Sequence, residues 1–189
     1  MSKILLHVCC APCSPYIVEK LREEYDNVTL YFFNPNIHPE TEYVRRLDEL
    51  RQWAGKESLP LITDEYAAEK WFDVTRGMED EPERGARCGV CIDMRLERTA
   101  DKAARLGFDA YGTVLTVSPH KNAATINFVG AMRGEEKKVR FIEADWKKKD
   151  GFKITTQMGR EMGLYRQDYC GCVYSLRDKR KRAFAKLAG

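Results

Sequence analysis

Long apolar runs are missing from this chain. No stretch approaches the roughly 20 apolar residues that a membrane-spanning helix needs, so no membrane segment is expected. The run Ile4-Leu5-Leu6 is too short for the core of a secretory leader and leads straight into cysteines. No export signal is expected, and the chain reads as cytoplasmic. Net charge is also small. With 32 Lys and Arg against 29 Asp and Glu the balance is +3, so any hold on nucleic acid must come from local clustering. The phosphate-binding patterns G-x-x-x-x-G-K-[ST] and G-x-G-x-x-G are both absent, which removes the usual sequence support for ATP or NAD. Internal repeats, low-complexity segments and an inter-domain linker are absent too. The 189 residues therefore read as one domain, 1–189, closed by a basic helix at about 175–187.

What is present begins with a core. Hydrophobic residues make up 43% of the chain and aromatics 11%, unlike a disordered sequence. Apolar and β-branched runs at 3–8, 28–33, 60–63, 108–115 and 139–142 predict strands. Helical spacing predicts helices at 16–25, 40–56, about 89–106, about 122–132 and 151–163, with a charged loop over 76–87. Ser14-Pro15 is a helix start and Gly107 a helix stop. Strands that alternate with helices predict an open, mainly parallel α/β sheet with helices on both faces and right-handed crossovers.

All seven cysteines fall in three short motifs: Cys9-Cys10-Ala11-Pro12-Cys13, Cys88-Gly89-Val90-Cys91 and Cys170-Gly171-Cys172. In a reducing compartment such clustering points to metal or catalysis rather than to structural disulfides. Thiols used as small core hydrophobes are the plain alternative, but three packed together would fill a core poorly. Each motif lies in a predicted loop or loop-to-helix junction. An open α/β sheet gathers such loops outside the carboxyl ends of its strands. Cys9, Cys10, Cys88 and Cys91 together offer the four thiolates taken by a tetrahedral zinc or an iron–sulfur cluster. Adjacent side chains diverge, which suits the spread iron atoms of a cluster better than one small ion. Zinc and a metal-free thiol site stay open at this point. Cys170 and Cys172 either close into a strained, labile disulfide or ligate a second metal. Cys13 is left to join either site. Asp93 and Asp168 lie close to thiol motifs in sequence and are candidate oxygen ligands, although a solvated carboxylate is the commoner state.

Arg177, Lys179, Arg180, Lys181, Arg182 and Lys186 make the last helix basic, and Lys147-Lys148-Lys149 with Lys153 form a second run. Taken alone, each run reads as a solvated face. Beside a thiol site they suggest phosphate contacts along a nucleic acid. Ser118-Pro119-His120-Lys121 sits at a strand-to-helix turn, where helix amides favour anions.

Taken together, these motifs resemble the QueH family of epoxyqueuosine reductases. The resemblance rests on Leu5-Leu6-His7-Val8-Cys9-Cys10-Ala11-Pro12-Cys13-Ser14, Asn34-Pro35-Asn36-Ile37, Glu42-Tyr43, Arg87-Cys88-Gly89-Val90-Cys91, Arg95-Leu96, Ser118-Pro119-His120-Lys121 and Tyr165-Arg166-Gln167-Asp168-Tyr169-Cys170-Gly171-Cys172-Val173-Tyr174-Ser175. It implies a fold similar to the nucleotide α-hydrolase (HUP-like) proteins. It implies reduction of the epoxide of epoxyqueuosine, at the wobble position of a tRNA, to queuosine, the last step of queuosine synthesis. It further implies a [4Fe–4S] cluster without cobalamin, with Cys9, Cys10, Cys88 and Cys91 as ligands and Cys170 and Cys172 as a redox pair. An additional iron ion is also implied, for which Cys13, Asp168, Cys170 and Cys172 are candidate ligands. Cys13, Cys170 and Cys172 are then the expected catalytic thiols. The expected contacts to substrate and tRNA are His120, Lys121, Arg166, Arg180 and Arg182. The partners are that tRNA and an unidentified electron donor, with no membrane. Removing an epoxide oxygen takes two electrons and two protons, and His120 or Lys121 is the expected proton donor. Tyr165, Tyr169 and Tyr174 are candidates for stacking on splayed bases. Two other classes stand against this: a zinc-stabilised RNA-binding module without catalysis, and a nucleotide-dependent tRNA thiolation enzyme. The second wants a Ser- and Gly-rich loop after the first strand, where this chain has cysteines.

Overall fold

The structure, a computed structural model, describes residues 1–187. Its axis is β1 (Lys3–His7), whose Ile4, Leu5 and Leu6 are buried on both faces. A strand covered on both sides must be apolar throughout, and this one is. β2 (Asn27–Phe32) pairs with it in parallel on one side, followed by β3 (Leu61–Thr63). β4 (Ala110–Thr113) pairs on the other side, followed by β5 (Arg140–Phe141). The order is β3-β2-β1-β4-β5. Five helices position the site: α1 (Pro15–Arg22), α2 (Glu40–Lys56), α4 (Ala86–Arg105), α5 (Ala123–Lys137) and α6 (Gly151–Glu161). A short α3 (Ala68–Val74) and the terminal α7 (Val173–Leu187) complete the set.

The period-two alternation of β1 sorts the two cores. Ile4, Leu6 and Val8 pack with Ile17, Val18 and Leu21 of α1 and Tyr43, Leu47 and Leu50 of α2. Leu5 packs with Ile92, Leu96 and Ala100 of α4 and Ile126 of α5. This is the expected HUP-like layering, with helices on both faces of a parallel sheet. Successive strands are added to one side of β1 through β3 and to its other side from β4 on, and the crevice at such a switch point is where ligands bind. The loop after β1 holds Cys9 to Cys13, and the loop after β4 leads to His120 and Lys121.

Three boundaries differ from the sequence expectation. α4 starts at Ala86, so Cys88 lies in its first turn and not before it, with Cys91 one turn on. β4 stops at Thr113, whose Oγ1 accepts from the Leu115 amide (3.2 Å) and opens a 3-10 turn over Val114–Val117. α5 continues past Met132 to Lys137, because Gly134 lets the chain return against it. A Cβ there would stand 2.6 Å from the Val139 carbonyl oxygen. No helix among the described residues is long and apolar enough to cross a membrane.

Candidate active site

The first thiol group is built by β1 running into a tight turn. Ala11–Cys13 form one 3-10 turn with Pro12 inside it, and Ser14 Oγ donates to the Cys10 carbonyl (3.1 Å). Gly159 of α6 packs onto Pro12, where a Cβ would lie 3.2 Å from the proline Cβ. The turn folds Cys9, Cys10 and Cys13 inward until their sulfurs lie within 4.8 Å of one another. The Cys9 and Cys10 sulfurs are 3.7 Å apart. Hydrogen bonds from Cys10 and Cys13 hold the Cys9 thiol well below its usual range. Cys10 is driven up by its bonds to Cys13 and Cys9 and by burial. Cys13, although Cys10 donates to it, is pushed up to about 12 by its bond to Cys9 and by burial. Gln167 Nε2 donates to the Cys10 sulfur (2.9 Å), and its Oε1 is buried without a partner.

The second group comes from α4 and the loop before α7. Cys88, Cys91, Cys170 and Cys172 line one cavity of about 470 Å³ together with Trp71, Arg87, Arg95 and Lys121. The Cys88 sulfur accepts from the Arg84 amide (3.2 Å) and the Cys172 sulfur from the Ser175 amide (3.3 Å). Burial pushes the Cys88 and Cys91 thiols up. The Cys170-Gly171-Cys172 turn is clamped from below. Arg46 donates to the carbonyls of Cys170 (3.2 Å) and Tyr169 (3.3 Å) while pairing with Glu42 (2.7 Å). The His38 amide donates to the Gly171 carbonyl (2.8 Å). Gly171 has φ +130°, a region side chains avoid, and a Cβ there would meet Arg46, Ile37 and Asn36.

A larger cavity of about 670 Å³ opens beside the first. It is lined by Cys9, Cys13, His120, Lys121, Phe152, Arg166, Asp168, Cys170 and Arg182, among others. Lys121 and Cys170 belong to both walls, with the Lys121 ammonium 3.7 Å from the Cys170 sulfur. The neighbouring Cys170 sulfur pushes the Lys121 ammonium up from its ordinary value, against the effect of burial. His120 is exposed on the rim of both cavities.

The expected site residues are thus brought to one edge of the sheet, but in a different grouping. Cys13 sits with Cys9 and Cys10, while Cys88 and Cys91 share their cavity with Cys170 and Cys172. Asp168 turns its carboxylate to Lys179 of α7, which holds it below the usual carboxylate range. Asp93 chelates Arg133 (2.6 and 2.7 Å), away from the thiols. Arg166 lies over the Phe152 ring (5.6 Å). Arg180 is exposed on α7, and among the described residues neither it nor Arg182 pairs with a carboxylate. The three tyrosines are engaged within the chain. Tyr165 lies under Arg45 (3.4 Å), Tyr169 donates to the His38 carbonyl (2.6 Å), and Tyr174 packs between Arg87 and Arg177. The site also contains Arg46 and Trp71, which the sequence did not single out and which only the packing brings to the thiols. Arg95 and Gln167 entered only within the motifs that carry the resemblance, with no role assigned to either.

Three sulfurs within 4.8 Å, with no carboxylate or imidazole among them, form a soft donor set suited to iron–sulfur centres or zinc. Comparison with known proteins bears on the choice. Residues 4–178 match the family described as "Epoxyqueuosine reductase QueH". The chain is 43% identical over 178 residues to the epoxyqueuosine reductase QueH of Streptococcus pyogenes serotype M1, covering 91% of this chain and 69% of that one. It is 35% identical over 185 residues to the epoxyqueuosine reductase QueH of Thermotoga maritima, covering 96% and 94%. Among solved structures, a predicted subunit of tRNA methyltransferase from Methanocaldococcus jannaschii superimposes with TM-score 0.60 at 10% identity, covering 90% of this chain and 95% of that one. The U34-tRNA thiolase NcsA from Methanococcus maripaludis with its [4Fe–4S] cluster gives 0.55 at 13% identity, covering 93% and 62%. Both structural likenesses concern the fold.

Proposed function

The chain belongs to the epoxyqueuosine reductase QueH family, and on that premise we propose that its paired cavities reduce the epoxide of epoxyqueuosine, at the wobble position of a tRNA, to the alkene of queuosine. It is an oxidoreductase of queuosine synthesis. A zinc-stabilised binding module and a thiolation enzyme are not favoured. The reaction consumes the epoxide, two electrons and two protons, and yields the alkene and water. The observation that carries the reading is the shared wall. Lys121 and Cys170 face the thiol-lined cavity on one side and the larger, open cavity on the other. A group held by the thiols and a base placed in the larger cavity would meet there.

A [4Fe–4S] cluster held by Cys9, Cys10, Cys88 and Cys91 would supply electrons one at a time. Any second iron would draw on Cys13, Cys170 and Cys172. Asp168 would first have to leave Lys179. The chain's own residues do the rest. Lys121, half-buried and kept protonated, donates a proton toward the epoxide oxygen as its bond to carbon breaks. His120, on the exposed rim, is the less suited of the two expected donors. The Cys170–Cys172 dithiol would be the two-electron store: as it closes to a disulfide its two electrons go to the epoxide, one of its protons replaces the one Lys121 gives and the other completes the water, and a separate donor restores it. Pro12, Leu115, Val117 and Phe152 give the larger cavity apolar walls that exclude water. Arg166, Arg180 and Arg182 lie on the side from which an anticodon loop would enter and take its phosphates. The setting is the cytosol, where tRNA is modified.

The test is anaerobic incubation of the iron-replete protein with epoxyqueuosine-tRNA and dithionite, followed by mass spectrometry of the nucleosides. The expected result is loss of one oxygen from the modified nucleoside. An intact epoxide in the presence of iron-replete protein overturns the proposal.

A further inference from the structure

Arg95 is out of place on any structural account. It lies on α4, one turn beyond Cys91, and is only 3% exposed. Among the described residues its side chain makes one hydrogen bond, from Nε to the Cys91 carbonyl (3.0 Å). No carboxylate among the described residues pairs with it, in contrast to Arg46, which has Glu42. The side chain lines the smaller cavity beside Cys88, Cys91, Cys170 and Cys172. A buried cation without a counter-ion costs several kcal/mol, and a long apolar side chain would fill the same space without that cost. The groups that share its cavity wall are sulfurs, those of Cys88, Cys91, Cys170 and Cys172. Half-buried Lys121 lines the same cavity and likewise has a sulfur for its neighbour, with no carboxylate partner among the described residues.

We infer that Arg95 is the fixed counter-cation of the thiolate site, and that it sets how readily the centre held there accepts an electron. This rests on the reading that the thiols hold an iron–sulfur centre. A centre bound by thiolates gains one further negative charge when it takes up an electron. A guanidinium on the wall of the same cavity favours that more negative state. Arg95 does not face the larger cavity. It is therefore a positioning residue that acts through the centre and not on the substrate. The neighbouring dipoles work in the same direction: Gln167 Nε2 donates to the Cys10 sulfur and the Arg84 amide to the Cys88 sulfur. They are neutral or belong to the backbone, and Arg95 supplies a full charge.

The test compares the wild-type protein with Arg95→Gln and Arg95→Lys, all purified without oxygen and assayed for iron and sulfide. Their centres are titrated with dithionite and followed by electron paramagnetic resonance. Arg95→Gln is expected to keep its iron and become harder to reduce. At a fixed poise its ratio of reduced to oxidised centre falls about tenfold, which is about 59 mV for a one-electron couple. Arg95→Lys keeps the charge and stays within about threefold of wild type. An unchanged ratio in Arg95→Gln overturns the inference. If Arg95→Gln loses its centre, thermal unfolding of iron-free full-length Arg95→Met decides. A counter-cation is a burden once the metal is gone, so this variant should melt no lower than iron-free wild type. A lower melting point makes Arg95 a packing residue and overturns the inference. A wild-type protein that assembles no iron–sulfur centre overturns the underlying reading as well. A wild-type centre with no shift in the variant overturns only the role of Arg95.

Discussion

Lys121 and His38 show how burial gives two similar-looking polar groups opposite roles. Lys121 is half-buried against sulfur, which holds its proton on. His38 is 7% exposed, packed on the rings of Trp71 (5.0 Å) and Phe72 (4.6 Å), and burial pushes it down to about 4. Lys121→Gln is expected to lower turnover at saturating tRNA by about 100-fold while iron content and tRNA affinity hold. Single-turnover assays under dithionite check this. For His38 the sign follows from linkage. Its folded-state value lies below the unfolded 6.5, so the unfolded chain takes up the proton first. Its contribution is complete above pH 6.5 and is lost as pH falls toward about 4. At about 1.4 kcal/mol per pH unit the loss reaches roughly 3 kcal/mol. Urea unfolding of wild type and His38→Gln across that range should show the wild-type curve falling more steeply by that amount.

Among the elements, α4 and α7 carry the site's thiols and its basic face. Because α4 begins at Ala86, Cys88 and Cys91 are one turn apart on one face, and Arg95 follows one turn later on the same face. A loop would not hold that stripe in register. α7 begins at Val173 directly after the Cys170–Cys172 turn and is pinned there by Ser175, whose Oγ donates to the Cys172 carbonyl (2.9 Å). Its later turns extend outward with exposed Arg180, Lys181 and Arg182. Replacing Arg180 and Arg182 together with Gln should weaken tRNA binding and flatten its salt dependence. The slope of log K against log salt should fall by roughly 1.5, about 0.7 to 0.9 per phosphate contact. Filter binding at several salt concentrations measures it. Unchanged binding at low salt would reduce this helix to a solvated face.

At the scale of the whole molecule, the sheet and its two apolar layers are built from other residues, and the thiols touch them only at the border, through Cys9 and Cys13. Ile4, Leu6, Leu30, Phe32 and Leu50 form one layer and Leu5, Tyr31, Leu96, Tyr111 and Ile126 the other, with the cysteines at the sheet's edge. Chelation of the metal is therefore expected to abolish turnover and visible absorbance while leaving the far-ultraviolet circular dichroism of the fold. Loss of the dichroism together with iron would show that the metal is part of the core. The sequence by itself determined the alternating sheet, because residues buried on both faces must be apolar in every position and the helices between them must be amphipathic. It also determined that the thiols act as a group, because every cysteine sits in a short motif at a strand or helix end. Only the tertiary structure decided which thiols are neighbours. It drew Cys13 in with Cys9 and Cys10, gathered Cys88 and Cys91 with Cys170 and Cys172, and turned Asp168 toward Lys179. It also brought Arg46 to the Cys170 turn and Gln167 to the Cys10 sulfur from elements distant in the chain. The reason is physical. Spacing along a chain constrains side chains within one turn of helix or one tight loop, whereas the meeting of loops from β1, α4 and α7 depends on how the layers pack and on which buried charges find partners there.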